Sequence, residues 1–305
     1  MTPRRVTRAR VGAFGSLIVV VATVTALVIG STLRRRSDRS TLTVSTEHSP
    51  AKSPFSDGAS EAGTTATPIL MYHVINSPPP QSSASPALYV AADEFSSQMA
   101  ALKDNGWHAV TLDQLEAFWT RRAPLGPGKP IVITFDGGYE SQYTNALPVM
   151  KRLGWVGVEN LQVTGLSPSQ GGLTDSQVRG LIAAGWELDT EGMTHADLIT
   201  LDSDQLRYQV SSAREALRGR YGAPVNWFSY PFGHYDATVI DAVRSAGFVG
   251  STTVNSGWAS PQQDRFRLPR LQVLAGTSPS QLLSQIAAAR ANTSSPAAYS
   301  GAAIA

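Results

Sequence analysis

Between residues 68 and 290 the sequence alternates short apolar runs, rich in Val, Ile and aromatic residues, with longer stretches of helical period. The runs predict strands at 69–74, 108–112, 131–135, 156–163, 186–189, 225–230, 248–254 and 268–273. The stretches between them predict helices at 94–105, 114–122, 141–153, 175–184, 203–221 and 237–246. In the longest, Leu206, Val210, Ala213, Leu217 and Tyr221 fall three or four residues apart and so share one face. Asp113, Thr174 and Asp202 are suited to cap helix starts, and Gly106, Gly154, Gly185, Gly222 and Gly247 to end them. Repeated strand–helix units predict an α/β domain on a parallel sheet, as an open sandwich or a closed barrel. At 305 residues the chain accommodates one large domain of this kind or two small ones, and it contains no internal repeat.

The flanks read differently. Residues 13–33 carry no charge and are long enough to cross a bilayer as a helix. Arg4, Arg5, Arg8 and Arg10 precede this run, and Arg34, Arg35, Arg36 and Arg39 follow it, so charge does not fix its orientation. An uncleaved membrane anchor at 1–36 is expected, with the body outside; a cleaved signal peptide is the alternative, though no clear Ala-x-Ala site follows. Residues 37–67 are rich in Ser, Thr and Pro and read as a flexible stalk; 291–305 read as a disordered tail. The net charge of +2 divides into +7 over residues 1–39 and −5 over the rest. A mildly acidic body argues against nucleic-acid binding. With no cysteine, disulfides and thiolate metal sites are excluded.

Four short pieces close predicted strands. The first is Leu-Met-Tyr-His at 70–73, and the second is Thr-Phe-Asp-Gly-Gly-Tyr at 134–139. The third, 187–195, ends Glu-Gly-Met-Thr-His, and the fourth is Ser-Tyr-Pro-Phe-Gly at 229–233. The carboxyl ends of parallel strands are where α/β folds place their chemistry. Each piece alone has a plain structural explanation: a turn aspartate, a strand-end histidine, a solvated Glu191–His195 pair sharing a helix face, an ordinary turn. Together they supply a carboxylate base, an imidazole acid, metal-compatible ligands and backbone donors, the parts for metal-assisted hydrolysis of an amide or ester.

In these motifs residues 68–286 resemble the polysaccharide deacetylases, the NodB-homology or carbohydrate esterase family four group. Residues 134–139 resemble the family's Thr-Phe-Asp-Asp-Gly-Tyr motif, 191–195 its His-(Ser/Thr)-x-x-His segment, and 230–233 its Pro-containing loop. The early Met-Tyr-His resembles the branch that deacetylates poly-N-acetylglucosamine. The resemblance implies a distorted (β/α) barrel of about seven strands, an N-acetylated polysaccharide as substrate, and a divalent metal, usually zinc. It implies Asp136 as general base, His73 as general acid, the Phe232 amide as oxyanion donor, and Arg270 as the residue orienting Asp136. Tyr139, Tyr230, Pro231, Gly233 and Trp258 are candidates to line a sugar-binding groove, with core packing as the alternative for Tyr139 and Trp258.

Two of the implied metal positions are altered. Gly137 stands at the metal-binding aspartate and Glu191 at the first histidine; His195 is kept. The remaining ligand set would be Glu191 and His195 with Asp136, or with Glu159, unexpected inside an apolar strand, in its place. The expectations are therefore an extracytoplasmic glycan N-deacetylase, a relative that binds cell-surface glycan without turnover, or an anchored scaffold.

Overall fold

The computed structural model describes residues 63–79, 85–166 and 171–292. The apolar segment 13–33, nearly all of the stalk and the tail beyond Asn292 lie outside these residues. No helix among the described residues is long and apolar enough to cross a membrane.

Among the described residues, nine strands and eight α-helices follow in order: β1 (Thr67–Tyr72), α1 (Ala92–Asp104), β2 (Trp107–Val110), α2 (Leu112–Arg121), β3 (Lys129–Asp136), α3 (Leu147–Leu153), β4 (Val158–Leu161), α4 (Asp175–Ala183), β5 (Glu187–Thr190), α5 (Ser203–Arg207), α6 (Ala213–Tyr221), β6 (Trp227–Ser229), α7 (Ala237–Ser245), β7 (Gly250–Thr252), β8 (Trp258–Ala259), β9 (Leu271–Gln272) and α8 (Pro279–Ala289). The sheet runs β7-β6-β5-β4-β3-β1-β8, with β2 also on β3 and β9 on β1. Every pairing is parallel except that of β8 with β1.

The sheet is curled. In a flat sheet β6 would stand about 14 Å from β3, three strand spacings away. Yet Ser229 Oγ, at the end of β6, lies 3.3 Å from Asp136 Oδ2 at the end of β3. Strands that far apart in order meet only if the sheet rolls into a half-barrel.

Alternation along β3 sorts its residues. Ile131, Ile133 and Phe135 face the helices, packed with Phe95, Met99, Met150 and Trp186. Phe135 stacks on Trp186 at 4.8 Å and on Tyr72 at 5.8 Å. Thr134 and Asp136 leave the opposite, concave face, and Val132 below them packs on Leu112, Leu115 and Phe118 of α2. The hollow of the half-barrel is thus apolar at its base and polar at its mouth.

The expected helices form, but two are interrupted. The 141–153 segment opens with a π-helical turn, Gln142–Ala146, before α3. Pro148, at the start of α3, has no N–H to return to the Thr144 carbonyl, so the turn there is wider. The 203–221 segment divides into α5, a π turn at Tyr208–Ser212, and α6. Thr174 and Asp202 cap their helices with reciprocal capping boxes. Asp113 does not: the cap is Thr111, paired with Gln114, while Asp113 in the first turn accepts hydrogen bonds from Asn226 and Trp227. Helix α8 was not expected from periodicity, although Ser278 and Gln281 form a capping box at its start.

Candidate active site

Five strand ends and loops meet at one mouth of the half-barrel. His73 follows β1, Asp136 ends β3, and Glu191 and His195 follow β5. The Pro231–Gly233 turn follows β6, and Arg270 immediately precedes β9. His73, Asp136, Tyr139, Glu191, His195, Tyr230, Phe232, Gly233 and Arg270 line one cavity of about 820 Å³, large enough for an amino-sugar residue.

At its floor, Arg270 Nη1 donates to Asp136 Oδ1 at 2.9 Å and Nη2 to Oδ2 at 2.8 Å. Asn160 Nδ2 donates to Oδ1 at 2.7 Å, and Ser229 Oγ to Oδ2 at 3.3 Å. Arg270 is held in turn by Thr134 Oγ1 and the Thr253 carbonyl. Burial alone would raise the Asp136 pKa, but the Arg270 charge and hydrogen bonds, with help from Asn160, bring it below the ordinary carboxylate value. Asp136 is therefore a fixed negative charge at neutral pH.

Register sets His73 beside it: Tyr72 pairs with Phe135, so the next residue of each strand is level. The Nε2 of Gln142, in the first π turn, donates to both the His73 and Asp136 carbonyls at 2.9 Å. Burial lowers the His73 pKa, opposed by Asp136 and reinforced by Arg270 and His195, so the imidazole rests neutral. The second π turn works similarly. Buried Gln209 accepts from the Met193 and Thr194 amides and donates to Thr194 Oγ1, tying down the loop that carries His195. π turns often mark functional sites, and here each presents a glutamine that anchors a site segment.

Glu191 and His195 were expected on one helix face. They lie instead in an irregular loop in which Gly192 (φ 100°) and His195 (φ 54°) both take left-handed backbone. Glu191 N–H donates to the Leu161 carbonyl, continuing the strand pairing and precluding a helix start. The side chains still meet, Glu191 Oε2 standing 3.8 Å from His195 Nε2. Glu191 Oε1 is buried without a hydrogen-bond partner. Burial, then the Asp136 charge, push the Glu191 pKa well up.

The polysaccharide deacetylase profile matches residues 125–251, which include β3 to β7 and three of the four motif segments. Residues 125–251 thus match a polysaccharide deacetylase domain, that of a hydrolase family. The Bacillus subtilis protein YxkH, named for the same family, is 28% identical over 69% of this chain and 72% of its own length. The Escherichia coli poly-β-1,6-N-acetyl-D-glucosamine N-deacetylase is 38% identical over 61 residues, 20% of this chain and 9% of that one. Among solved structures, the Streptococcus pyogenes deacetylase PplD in complex with acetate superposes with a TM-score of 0.66 at 26% identity, covering 73% of this chain and 99% of that one.

In this deacetylase domain the donor set does not fit the family's metal. A catalytic zinc takes three protein ligands. Gly137 contributes none, and both Asp136 oxygens are already taken by the Arg270 fork, with Asn160 and Ser229 behind it. Glu159 is also unavailable: it pairs with Phe135 while Asn160 pairs with Asp136, so the pleat sends it to the sheet face opposite Asp136. There it is buried with neither oxygen hydrogen-bonded at good geometry, although the Gly138 amide faces it, and burial, then the Asp136 and Glu191 charges, push its pKa well up. That leaves Glu191 and His195, and no group of three or more metal-binding side chains occurs among the described residues.

Trp258 is a further correction. It lies in β8 against the first residues of β1, far along the strand from His73. Its ring meets Trp107 edge-on at 5.9 Å, its Nε1 donates to the Ile286 carbonyl, and Arg290 covers it. It is a core residue, not a sugar wall. Tyr230 touches the cavity but is 2% exposed, donates to the Phe266 carbonyl and stacks on Tyr235. Pro231 shapes the turn without lining the cavity. Phe232 is 55% exposed, with φ at 59°, and its ring meets His195 edge-on at 4.5 Å. Asn160, Ser229, Gln142 and Gln209 were not among the residues singled out from sequence. Ser229 adjoined a recognised motif and Asn160 stood as a polar residue in an apolar run, whereas Gln142 and Gln209, in polar surroundings, carried no signal.

Proposed function

We propose that the chain removes N-acetyl groups from an amino-sugar polymer of the cell envelope, acting outside the membrane to which residues 13–33 anchor it. The observation that carries this reading is the neutral His73 imidazole beside the fixed Asp136–Arg270 pair on the floor of a sugar-sized cavity. Asp136 is a poor proton acceptor, because all four of its hydrogen-bond positions are filled. The proton work therefore falls to His73. Water adds to the acetyl carbonyl carbon and gives its proton to the imidazole, and the negative Asp136 favours the imidazolium. The tetrahedral oxyanion faces the Phe232 amide, which the strained turn presents without a partner among the described residues. As the C–N bond breaks, the imidazolium returns its proton to the sugar nitrogen, and the free amine leaves with acetic acid, which ionises to acetate in solvent.

Gly137 and Glu191, at the altered metal positions, favour a second reading in which the cavity binds glycan without turnover. Acetate release from N-acetylglucosamine oligomers by the full chain and by Asp136→Asn separates the two. Release by the parent that falls at least about 100-fold in the variant supports hydrolysis. Saturable oligomer binding with no acetate from either supports the second.

A further inference from the structure

The family's third ligand position is filled by a ring. A Cβ placed on Gly137 would lie 2.5 Å from Tyr139 Cε2 and 3.1 Å from its Cδ2, and the backbone there has φ of 98°. Gly137 is thus required by its conformation and by the aromatic ring lying over it. The backbone that carries the ring is fixed: Tyr139 bridges Gly172, Glu140 N–H donates to the Gly171 carbonyl, and Leu173 N–H to the Gly138 carbonyl. Tyr139 lines the same cavity as His73 and Asp136, and its hydroxyl has no hydrogen-bond partner among the described residues.

We propose that the Tyr139 phenol takes over the cation's task, donating a hydrogen bond to the acetyl oxygen opposite the Phe232 amide. The site then stabilises the oxyanion with two neutral donors and holds no resident divalent metal. This deepens the deacetylase reading and rests on it for the identity of the acetyl group. A phenol is suited to the work, since it remains protonated at neutral pH and a preorganised donor in a water-poor site stabilises developing charge strongly.

The test uses two probes on the full chain: Zn²⁺, and methylphosphonate as a tetrahedral mimic of the oxyanion, each titrated calorimetrically. Tyr139→Phe removes the hydroxyl and keeps the ring over Gly137, with thermal unfolding as a check on the fold. The expected result is no stoichiometric Zn²⁺ binding, and methylphosphonate affinity at least about 10-fold weaker in Tyr139→Phe, as for loss of one buried hydrogen bond to an anion. One equivalent of Zn²⁺ bound at micromolar concentration and lost in His195→Ala would overturn the proposal. So would methylphosphonate binding unchanged in Tyr139→Phe, or absent from the parent. Acetate release is measured separately. Its absence alongside the expected probe results overturns the deacetylase reading and leaves the Tyr139 assignment standing.

Discussion

Arg270 grips both oxygens of Asp136, at 2.9 and 2.8 Å, and the two side chains are among the least exposed charged groups of the domain. Their pairing joins the start of β9 to the end of β3 and fixes the curl of the sheet around the cavity. Removing one partner strands a buried charge. Arg270→Met is therefore expected to cost about 3–5 kcal/mol in urea unfolding, whereas Arg270→Met combined with Asp136→Leu should recover a substantial part of it. Equal losses in the single and double variants would show that the pair does not work as a unit.

A second acidic group, below the site, contributes to the pH dependence of stability. Asp189 accepts from the Asn226 and Trp227 amides, and burial raises its pKa to about 7 despite the Glu187 hydrogen bond and those amides. An unfolded aspartate titrates near about 4. The folded state thus holds a proton that the unfolded chain has released, so this contribution is complete below about pH 4 and is lost as pH rises to about 7. Asp136 has the opposite sign: its depressed pKa adds stability above about pH 4, lost as pH falls through the folded value. Thermal midpoints should fall from pH 4.5 to 7.5, and less steeply in Asp189→Asn. Parallel curves would sink this assignment.

Trp258 should behave as a core residue. Trp258→Ala is expected to lower stability by about 3–5 kcal/mol while leaving oligosaccharide affinity, measured well below the melting range, within about 2-fold. A large loss of affinity at unchanged stability would return it to the binding surface.

The role given to His73 fixes the form of the pH–rate profile. The imidazole must be neutral to accept the water's proton, and burial sets its pKa below the ordinary histidine value. The kcat/KM for acetate release should rise with pH through one ionisation below about 6.5 and level off through neutrality. A rise centred well above that would assign the proton transfer to another group.

How much of this was legible beforehand follows from the range over which each signal acts. Asp136 at a strand end, the helix caps Thr174 and Asp202, and the meeting of four motifs at one mouth were readable, because strand period and turn chemistry are local. The side a residue faces in a short strand was not: Glu159 and Asn160 are neighbours in sequence, and only the β3–β4 register sends one away from Asp136 and the other onto it. The π turns escaped notice because a helix that takes in one extra residue keeps its apolar spacing almost intact. Trp258 misled because an aromatic residue in a loop-like segment reads the same whether it meets a sugar or another tryptophan.

Hydrolysis at this site requires His73 and Asp136 to serve one acetyl group from one cavity. Acetate release by His73→Ala, with and without added imidazole, tests this most directly. The prediction is a loss of at least about 100-fold, partly restored by imidazole entering the space left, with no such restoration in Asp136→Asn. A His73→Ala enzyme that releases acetate at the parent rate would contradict it.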